Sequence, residues 1–343
     1  MKWKIMLILV FSLLLMACST NEKETSNPKE PEQEAPVEEP VEETEPIIAP
    51  LTGLELESEP PNRMLAIMIN NHPKARPQTG LSQADIVFEI LAEGNITRFM
   101  ALFHSNLPEK VGPVRSARPY YFNLANDYGA LYIYHGAADF IEQMLQNGAA
   151  DHLNGSYYDN DKVLFERSSD RVAPHNSYVL IDSVYEEAEE KGYEIEGSYS
   201  PFSFLSTEEV VEGDPATNVQ FDYIGNPIQY IYESTNEKYI RYDGGTETTE
   251  KATGEEVEID NVFILETAHE VVDNAGRREI DLQSGGDALL LQKGKVQHVQ
   301  WERIDDRIIP TKNGKPVPLV PGKTWINVIP TSPGIDGVEV TSE

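Results

Sequence analysis

Gly112-Pro113-Val114-Arg115-Ser116-Ala117-Arg118-Pro119-Tyr120-Tyr121 sets two arginines three residues apart with no acid among its ten residues, in a chain of formal net charge −31. Proline fixes its own φ and biases the residue before it towards extended geometry. Pro113 and Pro119 therefore predict an ordered loop, followed by a helix over Ala117 to Asp127. Ser116 then lies near that helix's N-terminus, where free backbone N–H groups, a hydroxyl and two guanidiniums make an anion site. Each arginine equally suits one of the chain's own carboxylates, which would make the stretch a structural clasp.

Such a loop needs strands to hang from, and the flanks supply them. Met64 to Ile69 is an apolar run between Pro60-Pro61 and Asn70-Asn71-His72-Pro73, the pattern of a buried strand. The polar loop from Asn70 to Gly80 follows, and its Asn70, His72 and Arg76 are candidates to line a site. Ile86 to Leu91 and Ile96 to Phe103 flank Ala92-Glu93-Gly94-Asn95, a hairpin signal. Glu89 and Arg98 fall in these runs where apolar residues are expected, either as a buried ion pair or facing a cleft. Ala130 to His135 predicts the next strand. His135, at its end beside Gly136, Ala137, Ala138 and Asp139, is a general-base candidate. Arg171-Val172-Ala173-Pro174-His175-Asn176 leads into a strand at Tyr178 to Ile181, then a helix from Asp182 or Ser183 to about Lys191.

Beyond Pro201 the texture is β. Short β-branched and aromatic runs at 219–223, 228–232, 239–242, 262–266, 288–292, 296–301 and 324–329 are separated by glycine turns. Trp301 and Trp325 suit core anchors. Pro321-Gly322-Lys323-Thr324 lacks the spacing of a phosphate loop, so no nucleotide or other cofactor is expected. Asp159-Asn160-Asp161 lacks the spaced ligands of a calcium loop, so no metal is expected. The expected fold is α+β: a mixed α/β N-terminal domain at 51–200 carrying the arginine loop, and a β-rich domain at 201–343. A sheet edge shared between the two is left open.

Residues 1–17 carry Lys2 and Lys4 ahead of an apolar run, the pattern of a signal peptide too short to span a membrane. Leu15-Met16-Ala17-Cys18 has the form of a bacterial lipobox, and Cys18 is the only cysteine, which excludes an intrachain disulfide. Residues 18–50 are an acidic, proline-rich spacer without aromatics, expected to be disordered. Of the net −31, Lys2 and Lys4 contribute +2 and residues 21–50 contribute −8, which leaves −25 for the rest. Such a field repels nucleic acid, so none is expected as a partner.

NNHPKARPQTGL (Asn70 to Leu81), ADIVFEIL, ITRF, GPVRSARPY, APHNSY (Ala173 to Tyr178) and PGKTWI (Pro321 to Ile326), behind the lipobox and spacer, resemble the YerB-type lipoproteins of bacilli and their relatives. The resemblance covers nearly all of residues 51 to 330. It implies a two-part domain, diacylation of Cys18 through its sulfur, a lipid bilayer as partner and an extracytoplasmic location at the cell membrane. The family's recurring pieces fall on Arg76, Arg98, Arg115, Ser116, Arg118, His175, Asn176 and Trp325, with Thr79 where serine is expected. The resemblance implies no reaction.

Three functions fit these residues. One is a binding module that grips an anionic group of an envelope polymer or small ligand through Arg76, Arg98, Arg115, Ser116, Arg118, His135, His175 and Asn176. Another is an envelope hydrolase or transferase with His135 or His175 as base and Ser116 or a water as nucleophile. The third is a scaffold whose acidic surface docks a basic protein.

Overall fold

The computed structural model describes residues 46–60, 62–206 and 208–342; the expected signal peptide, Cys18 and the spacer through residue 45 lie outside them. The globular part reaches back to Ile47, ahead of the expected boundary at 51. Ile47–Ile48 pairs with Glu55–Leu56, Ala49 is buried, and the Pro50 carbonyl accepts the Phe202 N–H.

The strands and helices that position the site are β1 (Leu65–Asn70), β2 (Ile86–Glu93), β3 (Ile96–Phe103), α1 (Pro119–Asp127), β4 (Leu131–Tyr134), α2 (Asp139–Gln146) and β5 (His152–Asn154). The later half adds β6 (Asn218–Asp222), β7 (Pro227–Glu233), β8 (Lys238–Asp243), β9 (Asn261–Thr267), β10 (Gly286–Gln292), β11 (Lys295–Ile304), β12 (Arg307–Lys312) and β13 (Thr324–Pro330).

Strands of both halves form one 12-stranded sheet, whose main run is β12-β11-β10-β9-β13-β2-β3-β1-β4-β5. The halves meet where β13 pairs in parallel with β2, from Thr324 opposite Ile86 to Val328 opposite Ile90. β9 lies parallel to β13, and β4 and β5 lie parallel to β1. Antiparallel β3 joins β2 to β1. The carboxyl ends of β1, β2, β4, β5, β9 and β13 therefore share one end of the sheet.

The apolar runs are continuous because both faces of these strands are covered. Ile67 and Ile69 enter one core with Val87, Phe99 and Trp325. Ala66 and Met68 enter the other with Phe88, Tyr121 and Tyr132. A six-stranded antiparallel sheet built on β6, β7 and β8 packs on the first of these cores through Val219, Tyr230 and Tyr239.

α1 starts at Pro119, two residues later than expected. Arg118 holds the N-cap in extended geometry (φ −141°, ψ 150°). The residue before a proline is disfavoured from the α region, so Pro119 sets the boundary.

Candidate functional site

β1 and β4 are paired from Leu65 opposite Leu131 to Ile67 opposite Ile133. Beyond that point the arginine loop enters between them. The Arg115 N–H donates to the Met68 carbonyl at 2.9 Å, and the Arg115 carbonyl accepts the His135 N–H at 3.0 Å. Its neighbours are tied as well: the Pro113 carbonyl accepts from Asn70 N–H at 2.8 Å, and Val114 N–H donates to the Ser177 carbonyl at 2.6 Å. Arg115 thus extends the sheet at the carboxyl ends of two parallel strands, the place where open α/β sheets present ligand sites.

The Arg115 guanidinium is half-buried and has no ion pair or hydrogen bond among the described residues. Burial, and then the nearby charge of Arg98, lower its pKa to about 10. His72 and His175 stack beside it, ring centroids 4.5 Å apart and planes at 28°. The Lys74 N–H donates to His72 Nδ1 at 3.1 Å. Asn70 Oδ1 accepts the His72 N–H at 3.0 Å, which turns the Asn70 amide nitrogen towards His175 Nδ1, also at 3.0 Å. Both imidazoles therefore accept at Nδ1 and carry their proton on Nε2. Burial first, then Lys74, Arg115 and Arg76, push His72 below its ordinary pKa. Burial, His72, Arg115, Lys74 and Arg171 do the same to His175. Every charged group named in these shifts is a cation, in a chain whose net charge is −31.

The other sequence candidates do not join this group as free cations. Arg98 and Arg118 share one carboxylate: Arg98 Nη2 meets Glu93 Oε2 at 2.6 Å, and Arg118 Nη2 meets Glu93 Oε1. Arg98 also donates to the Ser116 carbonyl at 2.8 Å. The Ser116 hydroxyl has no hydrogen bond to a histidine among the described residues. Arg76 is held by Asp243 at 2.6 Å and by Asn71, and lines a cavity of about 230 Å³ with Gln78 and Arg241. Asn176, expected as a ligand group, braces its own loop. Its Oδ1 accepts from Arg167 at 2.8 Å, and its Nδ2 donates to the carbonyls of Ser168 and Arg171. His135 Nε2 lies 3.6 Å from Asp159 and 3.4 Å from Arg167. Its backbone borders Arg115 while its ring belongs to this second cluster.

Sequence reasoning missed the partner of Glu89. That carboxylate is fully buried and accepts two bonds from Arg241, at 3.0 and 2.7 Å, one from Trp325 Nε1 at 3.1 Å and one from Thr97 at 2.9 Å. Arg241 also reaches Asp243, which in turn holds Arg76. Burial raises the Asp243 pKa, but Arg241 and Arg76 outweigh it and hold the group below its ordinary value. Two acids and two arginines close this network, which ties β8 to β2 and β13. Trp325 and Trp301 are both buried, and Trp301 Nε1 donates to the Glu266 carbonyl at 2.9 Å.

Among the described residues no helix is long and apolar enough to cross a membrane. Residues 51–194 match the family described as "Protein of unknown function (DUF3048) N-terminal domain", and residues 218–326 match the corresponding C-terminal domain. "Putative lipoprotein YerB" of Bacillus subtilis (strain 168) is 46% identical over 287 residues, 82% of this chain and 86% of that protein. The crystal structure of YerB protein from Bacillus subtilis superposes with a TM-score of 0.79 at 43% identity, covering 86% of this chain and 99% of that one. By both halves of its sequence and by its fold, this chain belongs to the DUF3048 family.

Proposed function

We propose that this protein is a lipoprotein, held at the extracytoplasmic face of the cell membrane through Cys18, that binds an anionic group of an envelope polymer between Arg115, His72 and His175. The lipid anchor rests on Leu15-Met16-Ala17-Cys18 and on the lipoprotein name of its relative. The single observation that carries the binding role is the Arg115 guanidinium, half-buried and unpaired beside two stacked histidines. An isolated charge held out of water is costly unless something pairs with it. The chain has more than twice as many acids as Lys and Arg together, yet among the described residues no acid pairs with Arg115. A phosphate would accept from the arginine fork and from the two Nε2–H groups.

The test is titration of the protein with inorganic phosphate at pH 6, followed by histidine NMR shifts and calorimetry. Saturable shifts of two histidine resonances, lost in Arg115→Gln, are the expected result. Identical shifts in Arg115→Gln would remove the proposal.

A further inference from the structure

A second site, independent of Arg115, lies where the hairpin of His269–Val271 and Arg278–Ile280 faces α1 and α2. A cavity of about 270 Å³ opens there. Tyr120, Phe140, Ile141, Val272 and Ile280 give it apolar walls, and Arg118, Arg277 and Arg278 give it cations. Phe140 is 51% exposed and Val272 52%, next to Val271 at 54%. Surface aromatic and branched side chains grouped at a cavity mark a place where something apolar binds.

Ion pairing there leaves one arginine out. Glu93 is shared by Arg98 and Arg118, and Asp273 takes Arg277 at 2.6 Å. Arg278 has no carboxylate partner among the described residues. One of its terminal nitrogens donates to the Gly94 carbonyl at 2.8 Å, and its Nε is buried without a partner. Arg118, with a side chain 8% exposed, likewise has an unpartnered buried Nε. The Arg277 guanidinium carbon lies 5.6 Å from the Phe140 ring centroid, so cation and apolar surface are contiguous. The one acid on the cavity wall, Glu279, is exposed and sits opposite Glu270 in the hairpin register. Along the walls the polar side chains other than charged ones are Asn123 and Tyr120, and the Tyr120 hydroxyl already donates to the Leu91 carbonyl. A peptide backbone would lack partners on these walls, whereas a hydrocarbon body would not.

We propose that this cavity binds an apolar ligand with a single anionic head, of the class of an acyl carboxylate. The tail would lie on Phe140, Val272 and Ile280, and the head on Arg278 and Arg277.

The test is calorimetric titration of the full-length protein with decanoate below its micellar concentration, with acetate and decylamine as controls. Decanoate alone should bind, and Arg278→Gln should weaken it about tenfold, the scale of one lost charge-assisted hydrogen bond. Phe140→Ser, at an exposed position, should weaken it without unfolding the protein. Arg277→Gln serves as a second charge variant that leaves the Gly94 contact intact. Arg115→Gln should leave decanoate binding unchanged, which separates this site from the one proposed above. Absence of decanoate binding, equal binding of decylamine, or undiminished binding by both arginine variants would overturn the proposal.

Discussion

Arg115 and Arg118 sit three residues apart on one loop and have opposite circumstances. Arg118 shares Glu93 with Arg98, while Arg115 has no carboxylate partner among the described residues. Arg118→Ala should therefore cost roughly 1–3 kcal/mol, because Glu93 keeps Arg98 as partner. Glu93→Ala strands two buried guanidiniums and should cost about 3–5 kcal/mol, the range for breaking a buried pair from one side. Arg115→Gln should leave stability unchanged or raise it by up to about 1 kcal/mol, since it removes a half-buried charge that no described residue neutralises. Urea melts of the three variants check this ordering. If Arg115→Gln is the most damaging, the arginine is a clasp and not a ligand group. The sequence showed two arginines without showing which was paired. Glu93 is 25 residues from Arg118 along the chain, and proximity made by a hairpin leaves no local signal.

At the scale of elements, legibility followed burial pattern. β7, β8, β9, β10 and β13 were readable because β-branched and aromatic runs lie between glycine turns. β12, at Arg307–Lys312, was missed, since arginine, proline and lysine interrupt its apolar run. The start of α1 was written in Pro119 and needed only the rule for the residue before proline. The pairing of Glu89 with Arg241 was illegible, because 152 residues separate the two. The loop itself makes a prediction at Gly112, where φ is +154° and an added Cβ would lie 2.9 Å from the Ser177 carbonyl oxygen, Tyr178 Cδ1 and Val114 N. Two of those atoms are backbone and cannot step aside. Gly112→Ala should cost roughly 2 kcal/mol or more, combining close contact with a conformation L residues avoid. It should also weaken phosphate binding, because Arg115 hangs from the same loop. Wild-type stability in that variant would show that the loop yields. Arg241→Met should cost about 3–5 kcal/mol by leaving Glu89 buried without its cation. A drop below 1 kcal/mol would show that the network is dispensable.

At the scale of the whole molecule, the histidines set the response to acid. Of seven histidines, His72, His104, His135, His175 and His269 have pKa values below the ordinary one, each with burial as the largest cause, and His269 is lowered to about 4. For each, the folded protein binds its proton less readily than the unfolded chain. Stability is therefore full above the unfolded value near 6.5 and falls as pH drops through the folded values below it. Carboxylates act later. Asp170 is held at about 2 by its bonds to Lys251 and Ser168, and Asp243 is also lowered. Their contribution is present above the carboxylate range and is lost below about pH 4. Asp85, raised by burial, works the other way. Relief of the repulsion behind a formal net charge of −31 needs carboxylates to protonate, so it too comes mostly below the histidine window. Below pH 6.5 the five lowered histidines act first, and the melting temperature should fall from pH 6.5 to 5. Added phosphate should reverse part of that fall, because a bound anion favours the protonated forms of His72 and His175. The reversal should vanish in His72→Gln/His175→Gln, while the loss due to the three other histidines persists. A melting temperature flat from pH 6.5 to 5, or a phosphate effect that survives the double substitution, would show that these two rings neither sense acid nor hold the anion.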